Sequence, residues 1–214
     1  ESNQTSIDFE GIDHIVFAGM GGSGAIGDMF EAILSKTKIH VNVVKGYVLP
    51  KTVNSNTVVI TISASGNTAE TLAILKSAWK IKCKIIAFSS GGKMLDYCIK
   101  NKIEHRNVDF YHSPRASFTS YLYTVLNVLH STLKIKKDDI LESIIELEKH
   151  KIKINSLNLT NNNISLNLAK WITNIPIIYY PNGLYASAVR FKNILQENSK
   201  IHAITEDIIE SCHN

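Results

Sequence analysis

The sequence predicts an α/β fold: a doubly wound parallel sheet with helices on both faces, followed by a second α/β unit that is incomplete at its C-terminus. Three observations predict it. Short apolar runs of strand length alternate with segments of helical periodicity. Two of those runs end in loops rich in glycine or hydroxyl side chains that lead directly into a helix, as the turns of parallel sheets do. Of the 214 residues, 44% are hydrophobic and 20% charged, which supplies one large core or two small ones and argues against disorder, collagen or coiled coil.

Taken in order, the first ten residues are polar and read as an arm. Residues 14–18 form a buried strand, and the pattern turns helical over 25–34, with Ile26, Met29, Phe30 and Ile33 on one face. Strands follow at 41–44 and 58–62. A helix over 69–79 carries Leu72, Leu75, Ala78 and Trp79 at helical spacing. A fourth strand at 84–88 ends in Ser89-Ser90-Gly91-Gly92, then a short helix spans 94–100 and a longer one 118–133. These make a first unit over residues 1–133. Residues 134–155 are highly charged, with Ile140, Ile144 and Leu147 at helical spacing, and read as a connector. The second unit, 156–214, opens on an Asn-rich stretch and then reads helix 164–171, strand 175–180, helix 184–198 and strand 201–204. Such a unit is thin for an α/β domain, so it is expected to continue further or to pack on a partner.

Composition excludes several functions. The formal net charge is +4 with lysine and glutamate interspersed, which favours a small anionic ligand and gives no footprint for nucleic acid. No run of about 18 apolar residues suggests a membrane span. Cys83, Cys98 and Cys212 are widely spaced and contain no C-x-x-C, which argues against a disulfide framework or a zinc site and fits a reducing cytoplasm. Three N-x-[ST] matches, at Asn3, Asn158 and Asn163, read as chance in an Asn-rich chain.

Two loops carry the chemistry. Gly19-Met20-Gly21-Gly22-Ser23-Gly24 follows the first strand and opens a helix, the context of a dinucleotide fingerprint. Glycines let the backbone turn and approach a ligand, and the N–H groups at the helix start favour an anion. A dinucleotide site also wants a carboxylate at the end of the second strand; Val43-Val44-Lys45-Gly46 offers none. A loop that only lets helix pack on strand remains the alternative. In the second loop, Ser63-Ala64-Ser65-Gly66-Asn67-Thr68, three hydroxyls cluster where the next helix begins. Ordinary N-capping accounts for one hydroxyl, not three. Neutral donors at a helix start bind phosphate without lysine, and no P-loop motif occurs. Loops at neighbouring strand ends can converge on one ligand.

The segment Ser63-Ala64-Ser65-Gly66-Asn67-Thr68-Ala69-Glu70-Thr71 resembles the phosphosugar-binding loop of sugar isomerase (SIS) domains. Gly19 to Asp28 resembles the start of the bifunctional phosphoglucose/phosphomannose isomerases. Pro114-Arg115-Ala116 is similar to that family's arginine motif, Arg190 to Lys200 to its glutamate motif, and Glu210 to Asn214 to its histidine motif. The resemblance runs from about Ile12 to the last residue.

It implies two SIS-type units and an aldose–ketose isomerase that interconverts glucose 6-phosphate, and mannose 6-phosphate, with fructose 6-phosphate through a cis-enediolate. It implies a sugar-phosphate ligand, a cytoplasmic homodimer in carbohydrate metabolism, and no metal or redox cofactor. Gly21, Gly22, Ser23, Ser63, Ser65 and Thr68 would hold the phosphate. Glu197 would be the base between C1 and C2, partly desolvated so that its pKa suits the task. Arg115 would face the enediolate. His213 would open the sugar ring, by family analogy in a neighbouring subunit's site. The chain departs from the pattern at Gln196, where Asn is common, and lacks the family's C-terminal lysine and threonine segment, so it reads as about two-thirds of such an enzyme. A noncatalytic phosphosugar-binding module or an inactive fragment is the second reading. A nicotinamide-dependent oxidoreductase, suggested by the glycine loop alone, is the third.

Overall fold

The computed structural model describes residues 10–130, 133 and 135–213. The N-terminal arm up to residue 9 and the final Asn214 of the histidine motif lie outside them. Five parallel strands, β1 (His14–Ala18), β2 (His40–Val44), β3 (Thr57–Ser63), β4 (Lys84–Ser89) and β5 (Glu104–Asn107), form one sheet in the order β2-β1-β3-β4-β5. The strands alternate with α1 (Gly22–Leu34), α2 (Ala69–Ile81) and α3 (Gly92–Asn101), and α4 (Phe118–Leu129) follows β5.

Both faces of this sheet are covered, which is why its central strands read as continuous apolar runs. Successive strand residues point to opposite sides. Ile15, Phe17, Val58, Ile60 and Ile62 pack with Ile26, Phe30 and Leu34 of α1 and Val125 and Leu129 of α4. Val16, Ala18 and Val59 pack with Ile74 and Ala78 of α2. Ala87 joins Leu72, Leu75, Met94 and Cys98 in a third cluster. The doubly wound sheet expected from sequence is therefore present, with α1 and α4 on one face and α2 and α3 on the other.

Strand β5 was not expected, because Glu104-His105-Arg106-Asn107 has no apolar pattern; an edge strand needs only one partner, here β4. Other boundaries move. Helices α2 and α3 stop at Lys82 and Lys102, both left-handed, where no glycine marks the end. Helix α4 ends at Leu129, short of the expected 133.

Helix α5 (Lys137–Ile154) occupies the expected connector, has no buried residue, and meets α4 through a 3.0 Å bond between Tyr123 Oη and Ser143 Oγ. After α6 (Ile164–Trp171), strand β6 (Ile177–Tyr180) pairs in parallel with β7 (Ile204–Asp207), joined through α7 (Tyr185–Ile194). The helix expected over 184–198 changes its hydrogen bonding at its end: α7 gives way to a π-helical turn, Leu195–Ser199, closed by left-handed Lys200. Strand β7 begins where the expected strand 201–204 ends, because its pairing runs from Ile177–Ile204 to Tyr180–Asp207. A short α8 (Ile208–Ser211) follows. Helix α7 buries Ala186, Ala188 and Val189 and packs on α1, which ties the two parts together. No described helix is long and apolar enough to cross a membrane.

Candidate active site

The chain leaves β1 toward β2 on one side and reaches β3 on the other, so the strand order reverses between β1 and β3. Open α/β sheets bind ligands outside the carboxyl ends of the strands at such a point. The glycine loop leaves β1 and the hydroxyl loop leaves β3; the strands are neighbours, with Ala18 opposite Thr61. The expectation that the two turns stand side by side is met by this topology.

In the glycine loop, the N–H groups of Ser23 and Gly24 donate to Met20 O at 3.0 and 3.3 Å, and that of Ala25 to Gly21 O at 3.0 Å. Backbone donors at Ser23 and Gly24 are thus engaged within the turn. Gly21 has a φ of 54°, and a Cβ built on it would meet nothing within 4 Å, so open space lies over the turn. Lys45, at the end of β2, forms a 2.6 Å ion pair with buried Asp28 of α1. The place where a dinucleotide-binding sheet would put its ribose carboxylate thus holds a lysine committed to a carboxylate on the neighbouring helix.

In the hydroxyl loop, Ser63 Oγ and Thr68 Oγ1 are 2.9 Å apart, and Ser63 is buried. Thr68 stands at the N-cap of α2 but makes no side-chain cap bond. Simple capping therefore does not account for its hydroxyl, and the first turn of α2 keeps donors for another partner. Ser65 is exposed; its Oγ accepts from Asn67 N–H at 3.2 Å. Asn67 ties the loop down: Nδ2 donates to Ser65 O at 3.0 Å and Oδ1 accepts from Lys93 N–H at 3.2 Å at the start of α3. Gly66 has a φ of 67°, and a Cβ there would sit 1.8 Å from Gly91 O. Asn67 was part of the motif but had no assigned role; its short amide and the following helix start were the available signal.

Arg115 lies in a turn held from inside by buried Ser117, whose Oγ accepts from Tyr111 N–H at 2.9 Å and donates to Ser113 O at 3.1 Å. Arg115 Nη2 is 3.0 Å from Glu197 Oε1, and Nη1 donates to Asn198 Oδ1. The arginine and glutamate motifs, distant in sequence, are therefore in contact. Glu197 sits in the π-helical turn, a local geometry found often at functional sites. Its side chain is 51% exposed, so the expected desolvation of the base is not met: the π turn lies at the surface, with Arg115 beside the carboxylate. Lys200 Nζ donates to Glu197 O at 2.7 Å.

Arg190, quoted in the glutamate motif but given no role, is half-buried with its guanidinium carbon 4.4 Å from the Phe118 ring centre. A Cβ on Gly22 would lie 3.5 Å from Arg190 Nη1, so this side chain reaches the glycine loop. His213 is exposed after α8; its N–H donates to Glu210 O at 3.2 Å, and it shares no hydrogen bond with Arg115 or Glu197 among the described residues. Clefts of about 520 Å³ around Trp79, Cys83 and Ile103, and about 610 Å³ between α4 and α5, contain none of the expected site residues.

The SIS domain family model matches residues 9–94, and the bacterial phospho-glucose isomerase C-terminal SIS domain matches 161–214. A bifunctional phosphoglucose/phosphomannose isomerase of Caldicellulosiruptor bescii is 34% identical, over 96% of this chain and 62% of its own length. A D-glucosamine-6-phosphate 4-epimerase of Sulfolobus acidocaldarius is 29% identical, over 94% of this chain and 62% of its own. A hypothetical protein of Thermus thermophilus has the same fold, with a TM-score of 0.72 at 16% identity, over 95% of this chain and 55% of its own. The chain spans about 60% of the length of the curated relatives it matches. Its two SIS-type matches stand in the order of its loops and motifs, and along most of its length the chain is similar to the bifunctional phosphoglucose/phosphomannose isomerases.

Proposed function

We propose that the protein to which this chain belongs is an aldose–ketose isomerase that interconverts glucose 6-phosphate, and mannose 6-phosphate, with fructose 6-phosphate. The observation that supports this most directly is the Arg115–Glu197 contact at 3.0 Å, made by two separate motifs, while Arg190 of the glutamate motif reaches the glycine loop. In the open-chain aldose, the Glu197 carboxylate takes the C2 proton. The C2–H electron pair forms the C1=C2 double bond, and charge moves to the C1 oxygen. Arg115 stabilises that oxyanion, which exists only around the transition state. Glu197 then returns the proton to C1, with a second proton shift between the oxygens completing the ketose. His213 protonates the ring oxygen when the cyclic sugar opens. Gly21, Gly22, Ser23, Ser63, Ser65 and Thr68 hold the phosphate. Helix α5 is the connector between an SIS unit up to residue 133 and a second from residue 156. The same reading makes the protein a cytoplasmic homodimer.

Isomerase assay of the complete protein tests this. Glu197→Gln should lower kcat by about 100-fold or more, and turnover in deuterated water should place deuterium at C1 or C2. Unchanged kcat removes Glu197 from the base role; deuterium in the product marks a C–H proton that exchanged with solvent on the carboxylate before its return to carbon. The second reading is a noncatalytic phosphosugar-binding module. That module would bind sugar phosphate in calorimetry and turn none over.

A further inference from the structure

Arg115 is committed: one guanidinium nitrogen pairs with Glu197 and another with Asn198. Arg190 is not. Among the described residues it makes no ion pair or hydrogen bond, only its contact with the Phe118 ring. A guanidinium over an aromatic face keeps its N–H edges for a planar or tetrahedral oxyanion. Burial works against the charge of Arg190 and lowers its pKa; the Glu197 carboxylate supports the charge, and the Arg115 guanidinium opposes it. Two guanidiniums thus converge near one carboxylate, with the Lys200 ammonium on the same turn. This leaves an excess of positive charge beside the glycine loop. Side-chain reach gives that charge a direction, since Arg190 Nη1 lies 3.5 Å from where a Gly22 Cβ would be.

We propose that Arg190 is a substrate-binding residue whose guanidinium takes the phosphate of a sugar phosphate lying on the glycine loop, while Arg115 and Glu197 face the sugar carbons. This rests on the isomerase reading for the identity of the ligand. It also revises how the anion is held: a cation supplied by α7 joins the uncharged donors of the two loops. Because α7 packs on α1, the same contact that binds the phosphate joins the two parts of the chain.

The test uses the complete protein with sorbitol 6-phosphate as the probe in calorimetry and fructose 6-phosphate in the assay. Arg190→Gln should raise the Kd and KM about 10- to 100-fold, the range for losing a charged hydrogen-bond partner, with the smaller effect on kcat. Arg190→Lys, which keeps the charge and the stem, should recover most of the loss. Unphosphorylated sorbitol should not distinguish these proteins. Unchanged Kd in both variants overturns the proposal, as does a change confined to kcat and its pH profile, which would make Arg190 a positioning residue for Glu197. If Arg190→Gln does not fold, Arg190→Lys decides, with a Kd rise of a few-fold expected and an unchanged Kd overturning. A wild type that binds sorbitol 6-phosphate and turns nothing over overturns the isomerase reading and leaves the Arg190 comparison intact.

Discussion

The site is assembled from two regions that differ in how firmly they are built. Around β1, β3 and β4, Ile15, Val16, Val59, Ile60 and Phe88 are completely buried, and the hydroxyl loop is tied to α3 by Asn67. Around β6 and β7, Ile177, Tyr179 and Ile204 are about half exposed, and Trp171 of α6 is 76% exposed. The first region carries Ser63, Ser65 and Thr68; the second carries Glu197, Arg190 and His213. The loop to which we assign the phosphate therefore stands on a closely packed scaffold. Glu197, to which we assign the proton transfer, is positioned by the α1–α7 seam and by Arg115. Pre-organised groups hold a substrate in register most effectively when their support is stiff.

The largest expected effect breaks this comparison at the core. Ile60→Ala should cost about 3–4 kcal/mol, the loss of buried methyls plus a cavity. Ile177→Ala, at a half-exposed position of β6, should cost under about 1 kcal/mol. Urea midpoints of both variants check this, and equal losses would mean that the second sheet shares a core with the first.

The same substitution made at a glycine in each region sharpens it. Gly66→Ala meets both a φ of 67° and Gly91 O at 1.8 Å, so the hydroxyl loop must separate from β4's loop. The backbone strain alone costs about 1–2 kcal/mol, and the clash adds to it; sugar-phosphate binding should fall with stability. Gly183→Ala, before α7, meets a φ of 89° with nothing within 4 Å, and should cost only the strain. Thermal melts together with calorimetry separate the two. Equal effects would show that the clash at Gly91 relaxes freely.

Ion pairs give a third contrast. Asp28 is 4% exposed against Lys45, while Arg115 and Glu197 are 44% and 51% exposed. Lys45→Met strands a buried carboxylate and should cost about 2–3 kcal/mol, below the full buried-pair value because Lys45 is itself over a third exposed. Arg115→Met should change stability by less than about 1 kcal/mol while abolishing most turnover. A large stability loss for Arg115→Met would make that pair structural.

What the sequence made legible follows the same division. Apolar runs at β1, β3 and β4 are long because both faces are buried, so the positions of these strands and of the helices between them were readable from pattern. Loop chemistry at Ser63 and Thr68 was readable because hydroxyls cluster at a helix start. Strand β5 was hidden because Glu104, His105 and Arg106 serve an edge. The π-helical turn at Leu195–Ser199 was hidden because Leu-Gln-Glu-Asn-Ser contains no glycine or proline to mark a change from the helix before it. Arg190 was quoted without a role because only packing against Phe118 and Gly22 distinguishes it from a surface arginine. Contacts between distant segments leave no local periodicity.

The smallest effect concerns the edge strand that sequence did not show. His105 Nε2 is 2.8 Å from Ser89 Oγ, and that hydroxyl also donates to Gly91 O, against which Gly66 packs. Burial lowers the His105 pKa below its usual 6.5. The unfolded chain then binds a proton at a higher pH than the folded one, so stability rises with pH wherever only the unfolded state is protonated. The His105 contribution is complete above about pH 6.5 and is lost as pH falls below it toward the folded-state value. One proton limits the slope to about 1.4 kcal/mol per pH unit. The difference in unfolding free energy between wild type and His105→Gln should therefore be flat above about pH 7 and should shrink below about 6.5. A nuclear magnetic resonance titration of the His105 ring should give a midpoint under 6.5. A midpoint above it, with stability rising as pH falls, would mean that the imidazole is charged in the folded state; the Ser89 hydroxyl, already donating to Gly91 O, would then accept from it, and the link from β5 to the hydroxyl loop would be electrostatic rather than neutral.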